Sequence, residues 1–446
     1  MVSSDDGGLV PALTMIMWLC GAVVAVLIGA FDSGGSVGSG SDDECGEIDW
    51  DNLGFGIKPT DYMYVTKCTD DGLFEQGQLN RYGNIELNPS AGVLNYGQSR
   101  SKGRDVGRQK TSVGARVTVE RGNGDCFRAW VLVSDIFGVF VFVFEHYGFD
   151  VTVERETGGY CSDRGIFEGT KAFRREDGGL FLFRPDQNAI RMQYGADRMC
   201  MPSPSIDQFI DGVKQTALAN RRWIPPPGKG SLYIRPLLIG SGPILGLSPA
   251  PEYTFLVYSS PVGNYFKNGL SPLNLYIEDE FHRATRGGVG GVKSITNYAP
   301  VLKALTRAKS RGFSDVIYLD SVHKKYLEEA TSCNVFVVKG NHISTPPTSG
   351  NILPGITRKT VIDIARDHGY QVEERAVPVE EFLDGDEVFC TGTAVSIVPV
   401  GSITYLGKRV DYKTTGETVS RDLYSTLIGI QSGLAEDKKG WFLQIE

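Results

Sequence analysis

The sequence has few residues of the types that bind metal ions. It contains 5 histidines and 8 cysteines among 446 residues, and no histidine falls in an HExxH or similar pattern. The cysteines are spread singly, with no CxxC pair and no His/Cys cluster at zinc spacing. We therefore expect no metal site, and free thiols in a reducing compartment are the simplest interpretation.

The chain also lacks an excess of basic residues. Its 45 Lys and Arg are outnumbered by 53 Asp and Glu, which gives a formal net charge of -8. Such a chain is a poor partner for a nucleic-acid backbone or an anionic membrane surface. The sequence therefore predicts no nucleic-acid partner and favours small-molecule substrates. Its composition is that of an ordinary globular protein, and its length suggests roughly two or three domains.

The N-terminal segment has no Lys or Arg before Lys58, and Asp5 and Asp6 stand near its start. Signal and transit peptides need early basic residues, so neither is indicated. Residues 7–31 are uncharged and long enough to cross a bilayer, which takes about 20 apolar residues. Two interpretations stay open, a membrane anchor and a non-native start from a doubtful gene model. A Gly/Ser-rich linker follows. The pattern of apolar and polar residues that is usual in globular proteins begins near Ile48.

Residues 99–164 form a second unusual stretch. It begins as a basic, Gly/Ser-rich segment and continues into "IFGVFVFVF", in which Val and Phe alternate so that both faces of a strand would be apolar. Such a strand must be buried, because otherwise it promotes aggregation. We interpret the basic part as a solvated loop rather than a nucleic-acid patch.

The rest of the chain has the pattern of a mixed α/β enzyme. Residues 167–185 predict two strands joined by a turn at 177–179. Residues 205–223 predict a helix, with Ser205 and Gln208 at capping-box spacing. Further strands are predicted at 232–240, 253–260, 315–320 and 334–340, and further helices at 298–312 and 354–369.

Lys293 ends the glycine-rich run "RGGVGGVK", where a lysine serves one of two chemistries. A phosphate-binding P-loop requires glycine directly before the lysine and a buried strand before the loop. Here Val292 stands at that position and the preceding "FHRATRG" is polar, so the P-loop does not fit. The alternative is a lysine that forms an imine with a carbonyl group.

An imine-forming lysine of the pyridoxal-phosphate type needs a phosphate anchor, a carboxylate for the pyridine nitrogen and a hydroxyl for the phenolic oxygen. A helix opening at "LPGIT" and the small-residue loop "CTGTAVSI" are candidate phosphate anchors. Arg184, Glu329 and Tyr298 are candidates for the added positive charge, the carboxylate and the hydroxyl. Spacing alone does not show that the fold brings them together.

A dozen motifs, which occur in the family's order along the chain, resemble branched-chain amino-acid aminotransferases, particularly the plant-type ones. Among them are "RRWIPPPGKGSLYIRPLLIGSG", "ILPGITRKTVIDIARDHGY" and "VFCTGTAVSIVPVGSITY". The resemblance spans residues 48–446 apart from 99–164. It implies pyridoxal-phosphate fold type IV: a small N-terminal α/β domain (48–266), a linker (267–280) and a larger domain (281–446), with the cofactor at their interface. It also implies a homodimer, and it leaves residues 1–47 as a segment foreign to the family.

The same resemblance implies cofactor-binding roles. Lys293 would form the Schiff base with pyridoxal phosphate and later move a proton at the substrate's alpha carbon. Glu329 would face the pyridine nitrogen, and Tyr298 would meet the phenolic oxygen. The phosphate would be held by Arg184, Ile356, Thr357 and Thr393.

Substrate-binding roles follow from it as well. Thr393 and Ala394 would present backbone amides to the substrate carboxylate, and Tyr233 and Arg235 would orient the substrate. An aromatic wall for the branched side chain would consist of Phe55, Tyr96, Phe167 and Tyr265. The implied reaction is reversible amino transfer between leucine, isoleucine or valine and 2-oxoglutarate.

Three alternatives to that activity stay open. A D-amino-acid aminotransferase and an aminodeoxychorismate lyase belong to the same fold type. A catalytically dead product of a damaged gene model is an alternative from another class. The resemblance suggests a plastid or mitochondrial location, although no transit peptide is evident.

The chain departs from the family pattern in two places. The family places the equivalents of Tyr96 and Phe167 five residues apart, whereas here residues 99–164 stand between them. Because the family's "NYGQ" and "GIFEG" survive on either side, we favour a translated intron over an evolved domain. The CxxC of some animal members is also missing, since Val395 and Val398 stand there, and no thiol switch of that kind is expected.

Overall fold

Seven α-helices and twenty β-strands make up the described part of the chain. The computed structural model describes residues 48–69, 72–95, 113–120, 126–133, 150–155, 165–246, 248–263 and 271–446. The chain separates into two compact units, Met1–Asp49 and Trp50–Glu446. All of the helices and strands below belong to the second unit.

The strands are numbered in chain order: β1 (Tyr62–Cys68), β2 (Gln78–Arg81), β3 (Val113–Glu120), β4 (Cys126–Val133), β5 (Asp150–Arg155), β6 (Gly165–Phe167), β7 (Thr170–Arg174), β8 (Leu180–Phe183), β9 (Ser231–Gly240), β10 (Tyr253–Val262), β11 (Leu273–Glu278), β12 (Asp315–Leu319), β13 (Leu327–Ala330), β14 (Asn334–Lys339), β15 (His342–Thr345), β16 (Gln371–Glu374), β17 (Glu387–Gly392), β18 (Ser396–Tyr405), β19 (Lys408–Asp411) and β20 (Phe442–Gln444). The α-helices are α1 (Gly92–Asn95), α2 (Pro185–Arg198), α3 (Ile206–Ala219), α4 (Ala299–Ser310), α5 (Ile356–Asp367), α6 (Val379–Leu383) and α7 (Val419–Ser432). Short 3-10 helices span Arg221–Trp223 and Ile295–Tyr298.

The first sheet has eight strands in the order β2-β1-β10-β9-β7-β8-β20, with β6 also paired to β9. All of its pairings are antiparallel. Helix α3 packs on this sheet through the buried side chains of Phe209 and Val213. The Phe209 ring lies 5.7 Å from that of Phe255 on β10.

The second sheet has nine strands in the order β13-β12-β11-β18-β17-β14-β15-β16, with β19 paired to β18. It is mixed, because β11 runs parallel to β12 and β18, and β15 runs parallel to β16. Helices α5 and α7 cover it through Val361, Ile364, Leu423 and Leu427, which are buried with Phe336 of β14. Sheets and helices together confirm the α/β prediction.

The strands and helices predicted from local sequence signals are present in the structure. The turn at 177–179 joins β7 to β8, with Arg174 paired to Leu180. Ser205 caps α3, since its hydroxyl accepts from the Gln208 amide while the Gln208 side chain accepts from the Ser205 amide. The strands and helices predicted from 232 to 369 are likewise present.

The inserted residues 99–164 contribute a sheet of their own. Strands β3, β4 and β5 pair antiparallel in the order β4-β3-β5. Within the described ranges they pair only with one another. The Val/Phe stretch and the basic start of the insert lie outside those ranges.

The predicted domain division remains a prediction. The C-terminal strand β20 pairs with β8 and so joins the first sheet, whose other strands come from residues before 263. In the described part of the chain, no helix combines the length and the apolar character that a bilayer crossing needs. Residues 7–31, the candidate anchor, lie outside that part.

We expect deletion of residues 99–164, which joins Gln98 to Gly165, to leave the rest of the chain folded and no less stable. The described strands of the insert make no pairs in either large sheet, and loop entropy grows only slowly with length. Urea unfolding of the two chains checks this. A deletion variant with a clearly lower urea midpoint would show that the insert stabilises the core.

Candidate active site

A cavity of about 300 Å³ gathers most of the residues that the sequence singled out. It brings together eleven of the predicted site residues: Phe55, Phe167, Tyr233, Arg235, Lys293, Tyr298, Glu329, Ile356, Thr357, Thr393 and Ala394. These residues come from strands of both large sheets, the start of α5, the 3-10 helix Ile295–Tyr298, the turn between β17 and β18, and loops. Tyr96 and Tyr265 lie outside the described residues, so their predicted roles stay predictions.

Lys293 is anchored through its backbone to strand β6. The Phe167 amide donates to the Lys293 carbonyl over 3.1 Å, so the strand that follows the insert directly holds the lysine. The Lys293 Nζ donates to the Tyr298 hydroxyl over 3.3 Å and lies 4.5 Å from the Phe167 ring centre. The glycine run before it packs tightly, because a Cβ on Gly290 would lie 2.5 Å from the Asn351 carbonyl oxygen.

Glu329 is a buried carboxylate among the residues that line the cavity. Its Oε1 lies 2.9 Å from Arg283 Nη1 and also accepts from the Leu353 amide over 2.9 Å. The Asn334 side-chain amide donates to its Oε2 over 3.1 Å. Burial raises the pKa of Glu329, but Arg283, the Leu353 amide and Lys293 oppose that rise. These partners favour a carboxylate held in one orientation.

The start of α5 forms the part of the cavity that suits an anion. Its N-terminal amides have no side-chain cap, since Gly355 is the N-cap residue. A side chain at Gly355 would collide with Asn334, whose Oδ1 lies 2.0 Å from the position a Cβ would take. Ile356 and Thr357 thus face the cavity together with Thr393 from the turn between β17 and β18. Free amides at a helix start bind phosphate or carboxylate groups.

Arg184, which was predicted to hold the phosphate, does not line the cavity. It is not among the lining residues, and its guanidinium donates to the Thr360 hydroxyl over 2.8 Å and lies 3.8 Å from Asp363. The arginine of α2 that lines the cavity is Arg191, seven residues after Arg184. The position of Arg184 therefore does not fit the predicted phosphate contact.

Arg191 is held in place by a buried carboxylate. Its Nε and Nη2 donate to the two oxygens of Glu168 over 2.8 and 2.7 Å. Asn188 donates to Glu168 as well, over 2.7 Å, and Arg191 Nη1 donates to the Pro354 carbonyl over 3.1 Å. The paired guanidinium therefore lies next to the loop that leads into α5.

We expect Arg191→Lys to weaken pyridoxal-phosphate binding by roughly tenfold or more, because lysine cannot reproduce a planar, forked donor. The matched variant Arg184→Lys should change that affinity by less than about threefold. Equilibrium dialysis of both variants measures the difference. Equal losses in the two variants would contradict the assignment of Arg191 to the cavity.

Tyr233 and Arg235 stand on one face of β9 beside the aromatic wall. Arg235 donates to the Tyr233 hydroxyl over 3.2 Å, and its guanidinium lies 4.8 Å from the Phe167 ring centre. The Phe55 ring meets Tyr233 edge-on at 5.2 Å. Gly169 makes room for Tyr233, since a Cβ there would lie 2.1 Å from the hydroxyl oxygen. The Arg235 guanidinium therefore lies beside an apolar wall of aromatic rings.

Three buried donor atoms at the cavity have no hydrogen-bond partner within the described protein: Arg235 Nε, Arg358 Nε and Thr391 Oγ1. Buried donors normally have partners. Arg191, Arg235, Lys293 and Arg358 line the cavity with Glu329 as the one carboxylate among its lining residues. The arrangement therefore suits an anionic ligand that carries several acceptor oxygens.

Five lining residues lie in segments that the sequence analysis did not single out for the site, namely Arg191, Ser332, Cys333, Asn334 and Arg358. Five more belong to the two candidate phosphate anchors but had no individual role: Leu353, Gly355, Thr391, Gly392 and Val395. A signal for Arg191 existed, because it shares the buried face of α2 with Asn188 and Met192. Burial raises the pKa of Cys333 to about 12, so its thiol stays protonated at neutral pH. No cluster of metal-binding side chains occurs among the described residues.

Comparison with known proteins places this geometry in a family. Residues 165–403 match the amino-transferase class IV family. The chloroplastic branched-chain-amino-acid aminotransferase 2 of Arabidopsis thaliana is 60% identical over 404 residues, which cover 91% of this chain and 87% of the relative. The mitochondrial branched-chain amino acid aminotransferase 1 of Humulus lupulus is 55% identical over 406 residues, covering 91% and 86%.

Solved structures agree on the fold. The branched-chain amino acid aminotransferase of Escherichia coli matches with a TM-score of 0.63 at 21% identity, over 87% of this chain and 100% of that one. The enzyme of that name from Thermobaculum terrenum, solved in its PLP-form, matches with a TM-score of 0.56 at 23% identity, over 66% and 96%. The fold is therefore that of the class IV aminotransferases, pyridoxal-phosphate fold type IV, as predicted. The chain belongs to the class IV aminotransferases and, within them, to the branched-chain amino-acid aminotransferases of the plant type.

Proposed function

We propose that this protein is a branched-chain amino-acid transaminase that moves an amino group reversibly between leucine, isoleucine or valine and 2-oxoglutarate. One observation carries the proposal: a single cavity combines Lys293 beside Tyr298 with the buried carboxylate of Glu329 and the uncapped N-terminal amides of α5. Class IV aminotransferases depend on pyridoxal phosphate, and these three features suit the ring, the phenolic oxygen and the phosphate of that cofactor.

The residues present fit pyridoxal phosphate. Glu329 would hold the pyridine nitrogen, Tyr298 the phenolic oxygen, and Lys293 the aldehyde carbon. The phosphate would be held by Arg191, Ile356, Thr357 and Thr393. When bound, the cofactor supplies an aldehyde that condenses with amino groups and a ring that withdraws electrons from the neighbouring carbon. The unpartnered donors of Thr391 and Arg358 support this fit, because a multiply charged anion offers them acceptors.

Lys293 is the proton carrier of the proposed mechanism. Its Nζ would take the proton from the alpha carbon of the amino acid and return it to the carbon of the cofactor that carries the aldehyde group. The Tyr298 hydroxyl accepts a hydrogen bond from Nζ over 3.3 Å and so orients the amine. The Phe167 ring next to Nζ keeps water from that side of the cavity.

The other lining residues would orient the substrate. The amides of Thr393 and Ala394 would bind the alpha carboxylate. Phe55, Phe167 and Tyr233 form an apolar wall for a branched side chain. Arg235 lies against that wall and would meet the distal carboxylate of 2-oxoglutarate or glutamate, which explains how one site could serve two kinds of substrate.

Assembly and location belong to the same proposal. Homodimer formation, tested by light scattering of the purified protein, follows from the family resemblance. The two relatives above are chloroplastic and mitochondrial, so we propose one of these organelles for this chain. Expression with a fluorescent tag at the C-terminus tests the location.

Product formation with different amino donors tests the reaction. L-Leucine with 2-oxoglutarate should yield glutamate and 4-methyl-2-oxopentanoate, whereas D-alanine and aminodeoxychorismate should not react. A chain that uses D-alanine instead would be a D-amino-acid aminotransferase. A chain that binds pyridoxal phosphate but turns over none of the three would be catalytically dead.

A further inference from the structure

Glu328 is a second buried carboxylate, next to Glu329 on β13, and it has no part in the proposed mechanism. Successive side chains of a strand point to opposite faces, and Glu328 does not line the active-site cavity. Glu328 is 3% exposed. Its Oε1 accepts from the Asn351 side-chain amide over 2.8 Å, while its Oε2 has no hydrogen-bond partner within the described protein. Burying a carboxylate in this way costs free energy, which favours a function for it.

Asn351 belongs to the loop 350–353, which supports the glycine run before Lys293. The Gly291 amide, two residues before the lysine, donates to the Gly350 carbonyl over 2.8 Å. A Cβ at Gly291 would lie 2.9 Å from the same carbonyl oxygen, so the run and the loop are in direct contact. The loop that Asn351 anchors therefore sets the position of the run that ends at Lys293.

The same loop contacts the ion pair of the cavity. Arg283 Nη1 donates to the Asn351 carbonyl over 3.1 Å and lies 2.9 Å from Glu329 Oε1. The Leu353 amide donates to that carboxylate oxygen as well, over 2.9 Å. The two neighbouring glutamates of β13 thus hold one loop at two points, and only Glu329 also lines the cavity.

Glu328 changes its charge near neutral pH. Burial raises the pKa of Glu328 to about 7, and the negative charges of Glu329 and Asp320 act in the same direction. The hydrogen bond from Asn351 and the positive charge of Arg283 lower that pKa. The ionised carboxylate makes the stronger bond to Asn351, because a charged acceptor roughly doubles the strength of a hydrogen bond. It also attracts Arg283.

We propose that Glu328 is a positioning residue: its carboxylate form keeps the loop 350–353 against the glycine run and Arg283, and its protonation loosens that contact. Lys293 and Glu329 then lose part of their fixed geometry. Because a small displacement of catalytic groups lowers the rate, the transaminase should slow as the pH falls and Glu328 takes up a proton. This inference rests on the proposed function, since the rate is that of transamination.

The pH dependence of kcat for L-leucine, measured on the wild-type holoenzyme and on Glu328→Gln, tests the inference. Glutamine has the shape of the protonated group and cannot ionise. At about pH 8 the variant should be about tenfold slower than the wild type, and at about pH 6 the two should agree within about twofold. Glu86→Gln changes an exposed glutamate in the loop after β2 and should follow the wild type at every pH.

Infrared spectra of the holoenzyme give a second readout, which does not depend on turnover. The carbonyl band of a protonated carboxyl group should disappear from the wild type with a midpoint near pH 7, and Glu328→Gln should lack this change. Asn351→Ala should move both the infrared change and the rate change to higher pH, because the hydrogen bond from Asn351 lowers the pKa of Glu328. That variant provides the comparison if Glu328→Gln does not fold.

Three results would overturn the inference. The first is a Glu328→Gln variant as fast as the wild type at about pH 8. The second is a variant slower by the same factor at every pH, which would indicate packing alone. The third is a wild type without the infrared change, in which Glu328 would not ionise in this range. A wild type that shows the infrared change and does not convert L-leucine would instead overturn the proposed function.

Discussion

Replacing Lys293 by alanine is expected to lower kcat for L-leucine by about 10,000-fold or more. The variant loses both the amine that would hold the cofactor and the base that would move the proton. Its stability should change little, because within the described residues the side chain makes one hydrogen bond, 3.3 Å to Tyr298, ring contacts with Phe167 and Tyr298, and no ion pair. Steady-state rates and a urea unfolding curve measured on the same preparation separate the two effects.

The exposed lysine Lys303 on α4 supplies the matched control. Lys303→Ala should keep kcat within about twofold, because surface substitutions away from special features have small effects. Activity of Lys293→Ala within tenfold of the wild type would contradict the assignment of the catalytic lysine. In that case the amine would have to come from another residue of the chain.

Glu329→Gln is expected to reduce kcat by about 100- to 1,000-fold, the usual cost of removing one electrostatic partner from an active site. Glutamine cannot supply the negative charge that favours a protonated pyridine nitrogen. The same change leaves Arg283 buried, at 3% side-chain exposure, without its ion-pair partner. Breaking a buried pair in this way costs about 3–5 kcal/mol of unfolding free energy.

A double variant separates the catalytic effect from the structural one. Replacing Arg283 by methionine together with Glu329→Gln removes both buried charges, so most of the lost unfolding free energy should return. The rate should stay low, since the negative charge is still missing. Recovery of kcat in the double variant would show that Glu329 acts only through Arg283 and not on the bound cofactor.

Much of the fold follows from local signals in the sequence. The capping box of Ser205 and Gln208, the glycine turn at 177–179 and the apolar runs of β12 and β14 each gave the correct element. The pairing of β20 with β8 had no such signal. A strand of three residues is too short for a hydrophobic period, and its partner is fixed by tertiary packing.

Lys293 and Glu329 were predicted from the residue types that the chemistry needs and from the family resemblance, and the structure brings both to one cavity. Arg184 was predicted in the same way, as a positive charge for the phosphate, but it does not line that cavity. Helical spacing from Asn188 would have favoured Arg191, which needs a buried partner such as Glu168 to lie in the interior.

The insert is the feature whose consequence for the site most needs measurement. Strand β6 begins immediately after it and holds the Lys293 backbone through Phe167. Any strain passed on from residues 99–164 would therefore reach Lys293 directly. The described strands of the insert make no pairs with the large sheets, which favours a site that assembles despite it.

One measurement tests whether this cavity is a transaminase site. It is the visible absorption spectrum of the full-length chain with pyridoxal phosphate, recorded before and after adding L-leucine. A yellow band that bleaches on adding leucine, and that is absent in Lys293→Ala, is the predicted result. A full-length chain that forms no such band, and gains none when residues 99–164 are deleted, would contradict the claim that this cavity is a transaminase site.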